Sequence, residues 1–425
     1  MMRNFVVVIF LFLFIFGVPF SFLPFNSSKL VFILLLGWCF SIKLLSNRTT
    51  TILTVERCSL NVFYSLTFLC LLSFLYPILH GTGDYSLSYA YFIMLSEACL
   101  GAYLMCILLL NKYNFYELLK LIVFVAFLQS CIILLMFISE SFRELIYLMS
   151  DVDAKQLMER YDGFRGFGLA GSVTYDLAVF LAINLMFITY LVSVKQITGR
   201  IYLVVYLVIF TAAIMTGRSA WIGIFLSVFI IFWNFRRYTL LVKVLEGGAY
   251  ISLFSLVMFI LIQNFYPNIS NVFIDKIIPY AFEMFINLFD SGELSTSSTD
   301  KLSSMYFSVS ESTFLLGDGY YKDPNNAAYY YMGTDAGYMR HILYYGLFPS
   351  MCLYFFYLSC FYVIYKKIKG LESRFILVSS LSLYYFLVHY KGAFLTGSAM
   401  NIKLFFILLI FAMFIPTNQK VNVND

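Results

Sequence analysis

Phe5-Val6-Val7-Val8-Ile9-Phe10-Leu11-Phe12-Leu13-Phe14-Ile15-Phe16-Gly17-Val18-Pro19-Phe20-Ser21-Phe22-Leu23 is a run of nineteen residues without one charge. As a helix it would be about 28 Å long at ~1.5 Å per residue, close to the ~30 Å hydrocarbon core of a bilayer. It is long for the apolar part of a signal peptide, and no small-residue cleavage site follows it. It reads as a retained first membrane span.

Working outward, further apolar runs fall at 30–46, 60–79, 87–110, 118–138, 170–194, 201–216, 220–235, 249–265, 339–365, 374–390 and 397–416. They predict an all-α polytopic membrane protein with about twelve transmembrane helices. Composition agrees: of 425 residues 61% are hydrophobic, 20% aromatic and only 12% charged, with a mean hydropathy of +0.85. Such a chain is not an ordinary cytosolic enzyme, a disordered segment or a disulfide scaffold. The seventh and eighth runs are short and parted only by Gly217-Arg218-Ser219, and the twelfth holds Lys403, expected to snorkel to an interface.

Sidedness follows from Lys and Arg between the runs. With the N-terminus inside, sixteen fall in inner segments and four in short outer ones. N-in/C-in is therefore expected, with loops 139–169 and 266–338 outside. Three parts result: helices 1–9 over 1–265, a large cap over 266–338, and helices 10–12 with a short inner tail over 339–425. Within the cap, Asp300–Thr313 reads as an amphipathic helix with Leu302, Met305, Tyr306 and Val309 on one face.

Charge and motif exclude several chemistries. The net charge of +5 is dispersed in short clusters, so no nucleic-acid surface is expected. Eight cysteines lie in or beside apolar runs without a CxxC pair, where Cys behaves as a small hydrophobe. His80, His341 and His389 lack ligand spacing, so no zinc site is expected. Gly163-x-x-Gly166-x-Gly168 has no strand before it and is not a nucleotide loop.

Three constellations carry candidate chemistry. Arg165, in Arg165-Gly166-Phe167-Gly168-Leu169-Ala170-Gly171, is either an interfacial arginine or one aimed at an anionic headgroup. Arg218, in its tight hairpin, either snorkels or binds pyrophosphate through its planar fork. Thr334-Asp335-Ala336-Gly337-Tyr338-Met339-Arg340-His341 ends the large loop, where Asp335 serves as helix cap, as proton acceptor, or as both. Glu97 is an intramembrane carboxylate, functional by default or held structurally by hydrogen bonds.

Taken with the topology, these motifs resemble the O-antigen polymerase and O-antigen ligase superfamily of envelope glycosyltransferases. The resemblance covers residues 160–350 in motifs and the whole chain in topology. Ligases carry His, then Asn, Ser or Gln, nine residues and Gly after the large loop. Here Asp335-Ala336, nine residues and Gly346 keep the spacing with Asp in place of His, and Thr334–Tyr338 looks more like the Wzy-type polymerases. The resemblance implies a GT-C-like fold in the bacterial inner membrane. It implies polymerisation of undecaprenyl-pyrophosphate-linked oligosaccharides at the periplasmic face, in membrane lipid, without metal or other cofactor, beside a chain-length regulator protein.

In that reading Asp335, Arg218 and Arg340 are catalytic, and Arg165, Lys301, Lys322, Tyr338 and Glu97 bind substrate. Tyr320, Tyr321, Tyr329, Tyr330 and Tyr331 either stack on sugars or form a headgroup-level aromatic belt. The rival readings are an O-antigen ligase and a polysaccharide flippase. A flippase would show internal repeats and no large loop.

Overall fold

A computed structural model describes residues 2–45, 57–110, 112–150, 167–172, 175–198, 201–234, 273–293 and 295–414. Among them the chain is all-helical, without a strand. Five helices are long and apolar enough to cross a membrane: Leu60–His80, Ser86–Leu110, Phe115–Ile138, Tyr175–Ser193 and Leu347–Lys367. Five shorter apolar helices accompany them: Phe5–Phe16, Ser27–Ser41, Ile201–Thr216, Ala220–Trp233 and Ala399–Phe414. The expected run 249–265 lies outside the described residues. Arg374–Lys391 is helical but belongs to neither group.

The chain forms two compact units, one of residues 1–17, 27–118 and 300–425, the other of 18–26 and 119–299. The first is built around Ala399–Phe414, whose residues Met400–Met413 are all buried. A helix apolar on every side needs neighbours on every side. Ser86–Leu110 and Leu347–Lys367 supply them, and Phe405 is ringed by Tyr357, Phe361 and Tyr385. The opening hairpin is closed by hydroxyls: Ser27 and Ser28, both buried, donate to Leu13 O and Phe14 O at 2.7 Å. Phe14 O is a carbonyl that the end of the Met2–Phe16 helix leaves open, whereas Leu13 O also accepts Gly17 N–H at 3.1 Å.

The second unit is centred on Tyr175–Ser193, buried from Leu177 to Leu191 and flanked by Ile201–Thr216 and Ala220–Asn234. Expected loop 139–169 contains a helix, Glu140–Met149, capped by Ser139 Oγ accepting from Phe142 N–H at 3.3 Å.

Three expectations are corrected. The run 339–365 is two helices, Gly337–Tyr345 and Leu347–Lys367. Gly346 between them has φ +73°, and a Cβ there would meet Leu315 O at 2.3 Å, so the chain turns where only glycine fits. The amphipathic helix over Asp300–Thr313 is likewise broken, into Ser297–Ser304 and Glu311–Leu316. Ser310 prefers to cap the second piece, accepting from Thr313 N–H at 3.1 Å, as serine does better at caps than inside helices. Lys403 does not snorkel: it is 3% exposed and pairs with Glu97 at 3.0 Å.

Connecting segments also touch within each unit. Phe20 bridges Ser150, Asp84 holds Tyr321 and Lys322, and Arg218 reaches Glu283 and Ser297. Glu372 N–H donates to Tyr116 Oη at 3.1 Å.

Candidate functional site

The helix Gly337–Tyr345 carries the most unusual side chain of the first unit. It starts where the large loop packs tightly: a Cβ on Gly337 would meet His389 O at 2.2 Å and Gly392 O at 2.4 Å. Arg340, one turn along, is 7% exposed. Its guanidinium carbon lies 3.7 Å from the centre of the Tyr321 ring and 3.6 Å from that of Tyr330. No carboxylate pairs with it among the described residues, and its Nε has no hydrogen-bond partner there. The rings attract the cation by their quadrupoles without neutralising it. A buried guanidinium without a carboxylate partner among the described residues makes this a candidate site for an anion.

The surroundings are aromatic and polar. His341 Nε2 lies 3.1 Å from Thr396 Oγ1, and the His341 and His389 ring centres are 4.8 Å apart. Tyr338 meets His389 edge to face at 4.7 Å and donates its hydroxyl to Phe386 O at 3.0 Å. Burial pushes the Tyr338 phenol up to about 12. Tyr306 stacks on Tyr390 at 4.6 Å and donates to Tyr390 O at 2.6 Å. Burial first, then Tyr390, Tyr338 and the charge of Asp335, push the Tyr306 phenol up, so Asp335 is its electrostatic neighbour.

Asp335 itself is exposed. It does not cap the helix: the cap position is Ala336, without a side-chain cap bond, and Thr334 Oγ1 accepts Ala336 N–H at 3.3 Å. Lys322 holds Nζ 4.6 Å over the Tyr330 ring, whereas Lys301 lies exposed on the helix Ser297–Ser304. Arg340, Asp335, Lys322 and Tyr338 thus belong to one unit.

The other sequence candidates stand elsewhere. Arg218, in the second unit, pairs with Glu283, reaches Ser297 Oγ at 3.4 Å and covers the Tyr280 ring at 4.5 Å. Ser297 N–H also donates to Glu283 Oε1 at 2.8 Å, and Trp221 packs against Phe282 and Phe285. The arginine hairpin is therefore a docking point for the helix Ile278–Ser291, its charge already balanced. Glu97 sits in a π-helical turn, Met94–Leu100, and is 7% exposed in its pair with Lys403. Arg165 lies outside the described residues.

Sequence reading missed three participants. Asp84 accepts Tyr321 N–H at 2.6 Å and Lys322 N–H at 2.7 Å. Burial raises its carboxyl, but the bonds from Ser86, Lys322 and Tyr321 outweigh it and hold the group below its ordinary value. An aspartate beside two turn glycines, Gly81 and Gly83, was the available signal. His341 and His389 share no sequence spacing because the fold joins two different helices there. Among the described residues no group of three or more His, Cys, Asp or Glu side chains is placed to hold a metal ion. Comparison with protein-family models and with curated proteins finds no match to the chain.

Proposed function

We propose that the chain is a metal-independent glycosyltransferase that polymerises undecaprenyl-pyrophosphate-linked oligosaccharide repeats, of the O-antigen polymerase type. The observation that carries this reading is Arg340: buried, stacked between two tyrosines and without a carboxylate partner among the described residues, just before a helix long enough to cross a membrane. A pyrophosphate leaving group develops charge as it departs, and a preorganised guanidinium stabilises that charge without reorganising. The excess of Lys and Arg in the inner segments supports an N-in/C-in topology with Arg340 on the periplasmic side of the inner membrane.

The step is a displacement. The acceptor hydroxyl oxygen forms a bond to the anomeric carbon of the donor chain, and the bond from that carbon to the pyrophosphate oxygen breaks. The hydroxyl proton passes to Asp335, whose exposed carboxylate is free to take it. Lys322 and Arg340 face the departing lipid pyrophosphate, and Tyr338 lines the approach.

Lipopolysaccharide from a strain lacking the chain, complemented with variants, tests this. Arg340→Lys keeps the charge but neither the planar stacking nor the two-pronged hydrogen bonding. Core plus a single repeat at normal protein abundance is the expected pattern, and a full ladder would overturn the assignment. Bare core would instead indicate a ligase or a flippase.

A further inference from the structure

A carboxylate from a distant turn is built into the Arg340 sandwich. Asp84 Oδ2 accepts both Tyr321 N–H and Lys322 N–H, and Oδ1 accepts Ser86 N–H at 3.0 Å. Thr82 Oγ1 donates to Gly319 O at 2.9 Å, fastening the same loop a second time. Tyr344, on the helix that bears Arg340, donates its hydroxyl to Asp84 O at 3.2 Å.

The residues gripped are those that shape the sandwich. Tyr321 supplies one ring, and Lys322 forms an antiparallel bridge with Tyr330, which supplies the other. Asp84 makes no ion pair or hydrogen bond with Arg340 among the described residues. Its influence runs through the backbone of 321–322. Charge-assisted bonds to backbone N–H are about twice as strong as neutral ones, so two on one oxygen fix that backbone firmly.

We propose that Asp84 is the positioning residue of the Arg340 anion site. Its carboxylate holds the 321–330 hairpin so that both rings stay on the guanidinium and leave its edge open to phosphate oxygens. This rests on reading Arg340 as the anion-binding group. A loop tether without influence on Arg340 is the rival.

Arginine modification by phenylglyoxal, read residue by residue by mass spectrometry on the full chain in lipid nanodiscs, separates the two. Asp84→Ala frees the hairpin and should raise the Arg340 modification rate about tenfold, the scale of losing one desolvated ring face. Arg218, in the other unit, should not change. Asp84→Asn keeps one acceptor oxygen and should fall between wild type and Asp84→Ala. Tyr321→Leu removes one ring directly, and adding Asp84→Asn to it should raise the rate further, because the Tyr330 ring is then held less firmly.

An unchanged Arg340 rate in folded Asp84→Ala overturns the proposal. So does an equal rise at every arginine, or loss of the fold in both Asp84 variants, since each makes the carboxylate a general structural element. The glycosyltransferase reading fails separately, through a full ladder from Arg340→Lys, whatever the modification rates are.

Discussion

Removing the carboxylate at residue 97 isolates a structural role from a chemical one. Glu97 and Lys403 are 7% and 3% exposed and meet at 3.0 Å, with Ser28 Oγ 2.5 Å from the ammonium. The Phe14 ring lies 5.7 Å from the ammonium. Breaking a buried pair from one side leaves a charge that nothing compensates, at a cost of about 3–5 kcal/mol. That is a factor of about a hundred to a few thousand in the folding equilibrium. Replacing both partners removes the orphan, and well-packed apolar substitutes range from about neutral to ~1–4 kcal/mol stabilising.

Glu97→Leu and Lys403→Met should therefore each be severely destabilised, and the double variant should recover most of the loss. Equilibrium unfolding in bicelles, or the fraction still monodisperse after heating, measures this. A double variant worse than either single one would refute the pairing argument. The lipopolysaccharide ladder supplies a second test: a stable double variant that polymerises normally removes Glu97 from substrate binding.

Three further outcomes are expected. Asp335→Asn should abolish polymerisation at normal abundance, because losing a general base costs about 10²–10⁴-fold; with no cap bond to lose, both Asp335→Asn and Asp335→Ala should keep wild-type thermal stability. Arg218→Glu alone should destabilise the docking of the helix Ile278–Ser291, and Arg218→Glu with Glu283→Arg should restore it in a thermal-melt comparison, whereas a pyrophosphate role for Arg218 would leave the swapped protein inactive. Gly337→Ala forces a methyl against two backbone carbonyls and should cost about 1–3 kcal/mol, read as a lower melting temperature.

What the sequence made legible was what short-range pattern controls. Apolar runs at helical length located apolar helices among the described residues, and Gly217-Arg218-Ser219 marked the turn between Ile201–Thr216 and Ala220–Asn234. Where pattern and tertiary demand conflict, it failed. Asp300–Thr313 has a respectable amphipathic face, yet Tyr306 leaves the helix to stack on Tyr390, and Ser310 starts a new one. A signal did exist for Glu97 and Lys403, because two opposite charges in separate apolar runs have few partners other than each other. Nothing local marks Tyr321 and Tyr330 as the two faces of one arginine in a loop with tyrosine at five of twelve positions from 320 to 331. That pairing depends on the bridge between Lys322 and Tyr330 and on a carboxylate from residue 84.

The three cations offer a comparison that composition could not. Lys403 and Arg218 both lie away from full solvent, and each meets a carboxylate: Glu97 in one case, Glu283 in the other. Desolvating a charge is costly, and a carboxylate at contact distance offsets most of that cost while removing the field beyond the pair. Such pairs join one segment of the chain to another. Arg340 is as buried, but its neighbours are two aromatic faces. Rings offset part of the desolvation and leave the positive field intact. Among the described residues carboxylates thus meet Lys403 and Arg218 and none meets Arg340, which is what the proposed anion site requires. By that logic a carboxylate placed beside Arg340, as in Tyr330→Glu, should stabilise the protein and silence it, since the site would then be filled from within.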